Sequence, residues 1–247
     1  MRVAEIYRSI QGEGRLTGTE SVFVRASGCN LRCRWCDTPY ASWAPEGDDL
    51  SVEEIVARVD ERGRAAPPPA ATGIAGTPSR DPLRHVVITG GEPMLFAELI
   101  PLCAELRRCG WHVTVETAGT LYLPVECDLM SISPKLSNST PPAEQSGRWR
   151  RRHELARHGG EVIRRLAAEY DYQLKFVVDC PADCREVEQC LAELPEIDRA
   201  RAMLMPQGTD AEDLAKKAEW LEPYCAEHGL RLCPRRQIEW FGSVRGT

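Results

Sequence analysis

The chain has 247 residues, of which 43% are hydrophobic and 28% charged. That balance is ordinary for a folded globular protein and excludes a disordered chain. The net charge of −6 gives no overall attraction for nucleic acid or anionic membranes, so direct contact with either would need a local patch.

The opening residues are interrupted by Glu5 and Arg8 and do not read as a secretory leader, and no apolar run is long enough to span a bilayer. In chain order, residues 22–26 read as a strand leading into a cysteine-rich loop. Ser51 followed by Glu54 is a capping box, opening a helix to about residue 62. Residues 65–82, rich in Ala, Pro and Gly, are expected to form an irregular surface excursion. The β-branched run 85–89 is a strand, and Pro93 suits the first turn of a helix ending near Cys109, with Gly110 beyond it. Residues 112–116 and 129–133 are further strands.

The Pro/Ser/Asn/Thr/Gly-rich stretch 137–147 reads as a flexible insertion, followed by the basic segment 148–153. Over 137–160 a solvated loop is expected. Its rival is a docking site for an acidic electron donor, suggested by Arg148, Arg150, Arg151 and Arg152. Further on, 172–178 is a strand, 182–194 a helix and 202–205 a strand. Thr209 or Asp210 caps a helix to about residue 228, closed by Gly229, and 230–233 is a last strand.

Strands alternating with helices imply right-handed βαβ units and a mostly parallel sheet. The expected fold class is α/β, a partial (β/α) barrel over residues 1–247 as one domain; a doubly wound open sheet is the competitor. In both, ligands collect at the carboxyl ends of the strands.

Eleven cysteines in this chain are too sparse for a disulfide scaffold. Their odd number fits a reducing compartment, the cytoplasm, with some thiols as metal ligands. Cys29, Cys33 and Cys36 fall within eight residues, just after a strand. Three thiols without an evident fourth partner suit an iron–sulfur cluster with one open iron, whereas ferredoxin-type clusters take four cysteines. Zinc with a fourth ligand from elsewhere is the alternative. The other eight cysteines read as packing residues.

Thr89-Gly-Gly-Glu-Pro93 sits where a strand hands over to a helix, and its glycines allow close backbone approach to a ligand. Glu92 offers an acceptor suited to an ammonium group. Val115-Glu-Thr-Ala-Gly119 and Ser131-Ile-Ser-Pro-Lys135 place polar residues at strand ends, on the ligand side of a parallel sheet. Near the start, Ser9-Ile-Gln-Gly-Glu-Gly14 lacks the lysine of a phosphate loop. Gln11 and Glu13 can read the edge of a flat heterocycle, and Arg25 can clamp a carboxylate or form a surface ion pair.

The C-x3-C-x2-C spacing with Trp35 before the third cysteine, joined to the GGEP run, resembles the radical S-adenosylmethionine (SAM) superfamily. In order, IQGEG, FVRASGC, CRWCDT, VVITGGEP, VETAG and SISPK resemble its 7-carboxy-7-deazaguanine synthase branch, from about residue 6 to 135, with a looser likeness at 203–208. The resemblance implies the radical SAM type of partial barrel and a lyase reaction on the queuosine route. It converts 6-carboxy-5,6,7,8-tetrahydropterin into 7-carboxy-7-deazaguanine with loss of ammonia, through hydrogen abstraction at C6 and ring contraction, with SAM regenerated.

Carried onto this chain, the resemblance implies a [4Fe-4S] cluster on Cys29, Cys33 and Cys36. SAM would be met by Trp35, Cys36, Asp37, Gly91, Glu116, Ser133, Pro134 and Lys135. The pterin would be met by Ile10, Gln11, Gly12, Glu13, Arg25 and Thr89, and Mg²⁺ by Thr38. It also implies a homodimer and an electron donor such as flavodoxin, with no direct nucleic-acid or membrane contact. A glycyl-radical activase and a non-catalytic metal-binding module are the rival readings. The basic insertion and the end of the chain after Arg235 depart from the compact members, so no site residue is assigned beyond Lys135.

Overall fold

The computed structural model describes residues 1–65 and 84–246. Nine strands form one sheet: β1 (Arg2–Ile10), β2 (Glu20–Ala26), β3 (Asp48–Asp49), β4 (His85–Gly90), β5 (His112–Thr117), β6 (Leu129–Ile132), β7 (Tyr172–Val178), β8 (Ala202–Pro206) and β9 (Arg231–Leu232). Their spatial order is β3-β1-β2-β4-β5-β6-β7-β8-β9. From β2 to β9 every pairing is parallel and follows chain order; β1 runs antiparallel to both β2 and β3. A doubly wound sheet reverses its strand order at a switch point. This one winds in a single direction and stays open between β3 and β9, as a partial barrel does.

The sheet also curls. Gly14 and Arg15, in the turn after β1, lie against Gln173 of β7, five strands along, and Arg15 N–H donates to Gln173 Oε1 at 2.8 Å. Strands β4, β6, β7 and β8 are almost wholly buried, and their runs of Val, Ile, Leu, Met and Phe suit a sheet covered on both faces. One continuous core joins them to the inward faces of the helices, including Ile55, Leu102, Leu106, Val187 and Leu221. Each such fully buried side chain contributes roughly 1.5–3 kcal/mol.

The covering helices are α2 (Val52–Arg64), α3 (Leu99–Arg108), α5 (Gly160–Glu169), α6 (Pro181–Ala192) and α7 (Ala211–Glu227), with short α1 (Pro39–Ser42) and α8 (Arg236–Phe241) at the loops. Ser51 and Glu54 form both bonds of the expected capping box on α2, and Asp210 caps α7. Such caps are worth about 1 kcal/mol each.

Several expectations need correction. Strand β1 was hidden by Glu5 and Arg8, whose charges are met by Arg25 and Glu20 of the neighbouring strand. The segment 137–160 is not a solvated loop: it contains α4 (Ala143–Arg157), which packs onto the cysteine loop. Helices α5 and α8 and the two-residue strand β3 were also unforeseen. The excursion expected at 65–82 lies outside the described residues, apart from its first.

Candidate active site

Strand β2 ends at Ala26, and the chain turns into the cysteine loop beside the end of β4. Here the two backbones interlock. Gly91 N–H donates to Ala26 O at 3.0 Å, Glu92 N–H to Gly28 O at 2.7 Å, and Gly28 N–H to Ala41 O at 2.8 Å. A Cβ on Gly91 would lie 2.0 Å from Gly28 O, and one on Gly90 2.1 Å from Ala26 O. Only glycine permits this approach, and Gly90 also has a φ of +131°.

The far side of the loop is fastened by the segment 138–153. Arg32 N–H donates to His153 Nδ1 at 3.1 Å, Arg34 N–H to Ser139 O at 2.9 Å, and Trp35 Nε1 to Asn138 O at 3.1 Å. His153 is fully buried, with Nε2 2.9 Å from the Ser139 hydroxyl. Because Nδ1 accepts from a backbone N–H, the ring is neutral with its proton on Nε2, and burial lowers its pKa to about 4. No sequence pattern announced this histidine.

Cys29, Cys33 and Cys36 all line one cavity of about 410 Å³, within the range of small-molecule sites. Burial pushes the Cys29 and Cys33 thiols up to about 12, so without metal they are neutral. Coordination would remove those protons. Among the described residues no three His, Cys, Asp or Glu side chains converge as ligands of a single metal ion. Three thiols that line one cavity, with no fourth cysteine among the described residues of its wall, are a donor set that fits an iron–sulfur cluster with one open iron.

Every other candidate except Glu92 and Pro134 lines the same cavity. These are Ile10, Gln11, Gly12, Glu13, Arg25, Trp35, Asp37, Thr38, Thr89, Gly91, Glu116, Ser133 and Lys135. Pro134 is buried beside it. Glu116 accepts from Thr89 Oγ1 at 2.9 Å, Gln11 Nε2 at 3.2 Å and Lys175 Nζ at 3.3 Å. Lys135 folds back onto the Ser133 hydroxyl and carbonyl and lies 6.0 Å from the Trp35 ring centre. Thr38 stands at the N-terminus of α1, but its hydroxyl makes no capping bond; its oxygen is 3.8 Å from Cys36 Sγ.

Two expected roles meet prior engagements. Arg25 donates to Glu5 at 2.7 Å and to the Tyr7 hydroxyl at 2.7 Å, so its guanidinium is braced within the wall. Glu92 is not an open acceptor for an ammonium group. It is wholly buried and accepts from Thr117 Oγ1 at 2.7 Å, Ala118 N–H at 2.8 Å and Met94 N–H at 3.1 Å. Burial raises its pKa, so it serves as a bracket between β4 and β5.

The cavity also contains residues that the sequence did not point to. Lys175 of β7 is 3% exposed and lies 3.0 Å from Glu13 and 3.3 Å from Glu116. Glu13 further accepts from Gln237 at 2.6 Å and Arg235 at 3.3 Å, and Arg235 reaches Asp37 at 2.5 Å. Although burial alone would raise the Glu13 pKa, Lys175 and Arg235 hold it down at about 2. The same two carboxylates move the Lys175 pKa upward against its burial. Tyr7 and Phe23 stack at 5.2 Å and form a flat part of the wall, while Gly242 to Gly246 line the rim. A lone lysine in the apolar strand of residues 172–178 was the available signal for Lys175.

The open parallel sheet with three thiols and a glycine bracket at its carboxyl rim defines a radical SAM enzyme, and the radical SAM superfamily model matches residues 23–134. The fold resembles the crystal structure of QueE from Escherichia coli, with a TM-score of 0.63 at 22% identity over 95% of this chain and 93% of that one. The chain is 42% identical to a 7-carboxy-7-deazaguanine synthase of Rhodopirellula baltica over 99% of its length and 88% of the relative's. With one of Halobacterium salinarum it shares 40% identity over 99% and 92% of the two lengths. The chain belongs to the 7-carboxy-7-deazaguanine synthase family. Among the described residues no helix is long and apolar enough to cross a membrane.

Proposed function

We propose that this cavity binds 6-carboxy-5,6,7,8-tetrahydropterin beside SAM and directs its contraction to 7-carboxy-7-deazaguanine with loss of ammonia. The observation that carries this reading is that one cavity joins the three-thiol loop to Gln11, Glu13 and Arg25, a hydrogen-bonding edge and a cation suited to a carboxylated heterocycle. When bound, the cluster and SAM supply the radical that takes hydrogen from C6, with SAM regenerated at the end. Cys29, Cys33 and Cys36 would hold the cluster. Trp35 to Asp37, Gly91, Glu116 and Ser133 to Lys135 would hold SAM.

On the substrate side, Glu13 stays a carboxylate at any working pH and accepts N–H donors of the pterin edge. Its three present partners leave about one of a carboxylate's four acceptor positions open. Arg25, braced by Glu5 and Tyr7, offers its remaining donors to the substrate carboxylate. The Tyr7–Phe23 wall gives the flat ring an apolar face and excludes water from it. Ile10, Gly12 and Thr89 complete the pocket edge. Orientation of C6 and exclusion of stray hydrogen donors are thus the work of the protein.

Mg²⁺ belongs to this reading through the Thr38 hydroxyl. A hard cation that keeps much of its water is suited by one such oxygen together with substrate oxygens. Assembly as a cytoplasmic homodimer is also part of it, and light scattering of the reconstituted protein checks the stoichiometry. The test of the reaction is anaerobic reconstitution followed by incubation with dithionite, SAM, Mg²⁺ and the carboxytetrahydropterin. Mass spectrometry should detect 7-carboxy-7-deazaguanine. SAM cleavage without that product would overturn the substrate assignment.

A further inference from the structure

Helix α4 is an anomaly. It carries charge around most of its circumference, and His153 is its one fully buried described side chain. A helix polar on nearly all sides contributes little to a core and needs another reason to be there. It packs against the loop between Cys29 and Cys36, through His153 and through Trp149, whose ring lies 4.0 Å from the Arg32 guanidinium carbon. Arg148, Arg150, Arg151 and Arg152 are exposed on it, and Arg34 is exposed on the cysteine loop itself.

Among the described residues, none of these five arginines has a carboxylate partner, in a chain whose net charge is −6. Surface arginines elsewhere are commonly paired, as in Arg15 with Asp171, Arg164 with Glu161 and Glu196, and Arg199 with Glu188. The acidic side chains nearest in sequence do little to offset the patch: Glu154 is engaged by Thr140 and Arg157, leaving Glu144 at the helix start. Helical spacing puts Arg148, Arg151, Arg152 and Leu155 along one side. Leu155 is 74% exposed, the most open of the three exposed large apolar side chains among the described residues. An apolar residue set among unpaired arginines is the composition of a docking surface.

We infer that this face of α4, with Arg34, is the docking surface for a small acidic one-electron carrier protein that reduces the cluster. The inference rests on the cluster reading above. It commits to a protein donor because the patch adjoins the loop that would hold the electron acceptor and because a transient redox partner requires only a small charged surface with an apolar contact. In the step, the carrier's flavin hydroquinone gives one electron to the oxidised cluster and becomes the semiquinone. The arginines steer the encounter, and Leu155 supplies a contact that salt does not screen.

The experiment uses the reconstituted holoenzyme and flavodoxin hydroquinone in anaerobic stopped flow, over a salt series, with the Kd of the oxidised pair measured by titration. Arg148→Glu/Arg151→Glu should lower the second-order reduction rate at low salt at least about tenfold and remove most of its salt dependence. Leu155→Ser should weaken the complex at all salt concentrations. Both variants should keep wild-type iron content, SAM-induced spectral change and dithionite-driven turnover, which also shows that they fold. Unchanged flavodoxin rates and Kd in both variants would overturn the inference. So would loss of RNA binding by the charge-reversed variant with unaltered reduction. Wild-type failure with dithionite as well as flavodoxin would instead count against the reaction proposed above.

Discussion

The two sides of the cavity are made of different materials. On the side of β2, β4 and β5, the wall is backbone, glycine and thiol: Gly28, Gly90 and Gly91 interlock, and Cys29, Cys33 and Cys36 stand on a loop pinned at both faces. On the side of β7 and the end of the chain, it is a charge network, Lys175–Glu13–Arg235–Asp37, buried at Lys175 and open to solvent at Asp37, with Gln237 and Glu116 attached. The contrast is clearest in two buried carboxylates. Glu92 is held by neutral donors, has its pKa raised and braces two strands. Glu13 is held by cations, has its pKa lowered to about 2 and remains charged where a ligand can reach it. In the proposed reaction the first side would hold the cluster against backbone and thiols, and the second would meet the polar heterocycle.

If that division is right, damage on the two sides should separate. Cys33→Ala is the severest change: iron content, visible absorbance and turnover should all be lost, while the fold is retained. Lys175→Met comes next. It strands Glu13 and Glu116 without their shared cation, which should cost about 3–5 kcal/mol in denaturant unfolding. It should also raise the KM for the pterin, with the cluster still loading; Lys175→Arg should recover part of both. Equal loss of cluster binding in Lys175→Met would erase the distinction between the two sides.

Arg25→Ala should be milder. Losing one charged hydrogen-bonding partner is worth roughly 1.5–3 kcal/mol, or about 10–100-fold in pterin affinity. Titration of the reconstituted protein should show this with an unchanged SAM response. The smallest effect concerns His153, whose pKa is lowered to about 4 from 6.5 by burial. On acidification the unfolded chain takes up this proton first. Its contribution to stability is therefore complete above about pH 6.5 and is lost as pH falls toward 4. His153→Gln should flatten the pH dependence of unfolding in that window, leaving the share of His85, whose burial gives it a similarly lowered value. An unaltered slope would mean that His153 is not held neutral.

The same contrast explains what could be read before the structure was known. The cofactor side is written in consecutive residues, CNLRCRWC and TGGEP, because a loop that binds through thiols and backbone needs its parts close together in the chain. The charge network joins Glu13 to Lys175, 162 residues on, and to Gln237, 224 residues on, so no local spacing encodes it. The sheet was legible from β-branched runs such as residues 85–89 and 172–178. Helix α4 was not: Pro141, Pro142 and Gly147 suggested a loop, and what holds the helix in place are tertiary contacts such as Arg32 with His153, 121 residues apart, and Arg157 with Glu186. Glu92 misled for a different reason. Its chemistry suits a ligand, but its burial and its bonds to Thr117 and Ala118 appear only once β5 is laid beside β4.

The most direct test of the whole reading is a count of 7-carboxy-7-deazaguanine formed against SAM consumed, in one anaerobic reaction of the reconstituted protein with excess pterin. Many product molecules per SAM consumed are expected, because in the proposed reaction substrate and cofactor share the cavity and 5′-deoxyadenosine returns the hydrogen. Accumulation of 5′-deoxyadenosine with no deazaguanine would contradict it.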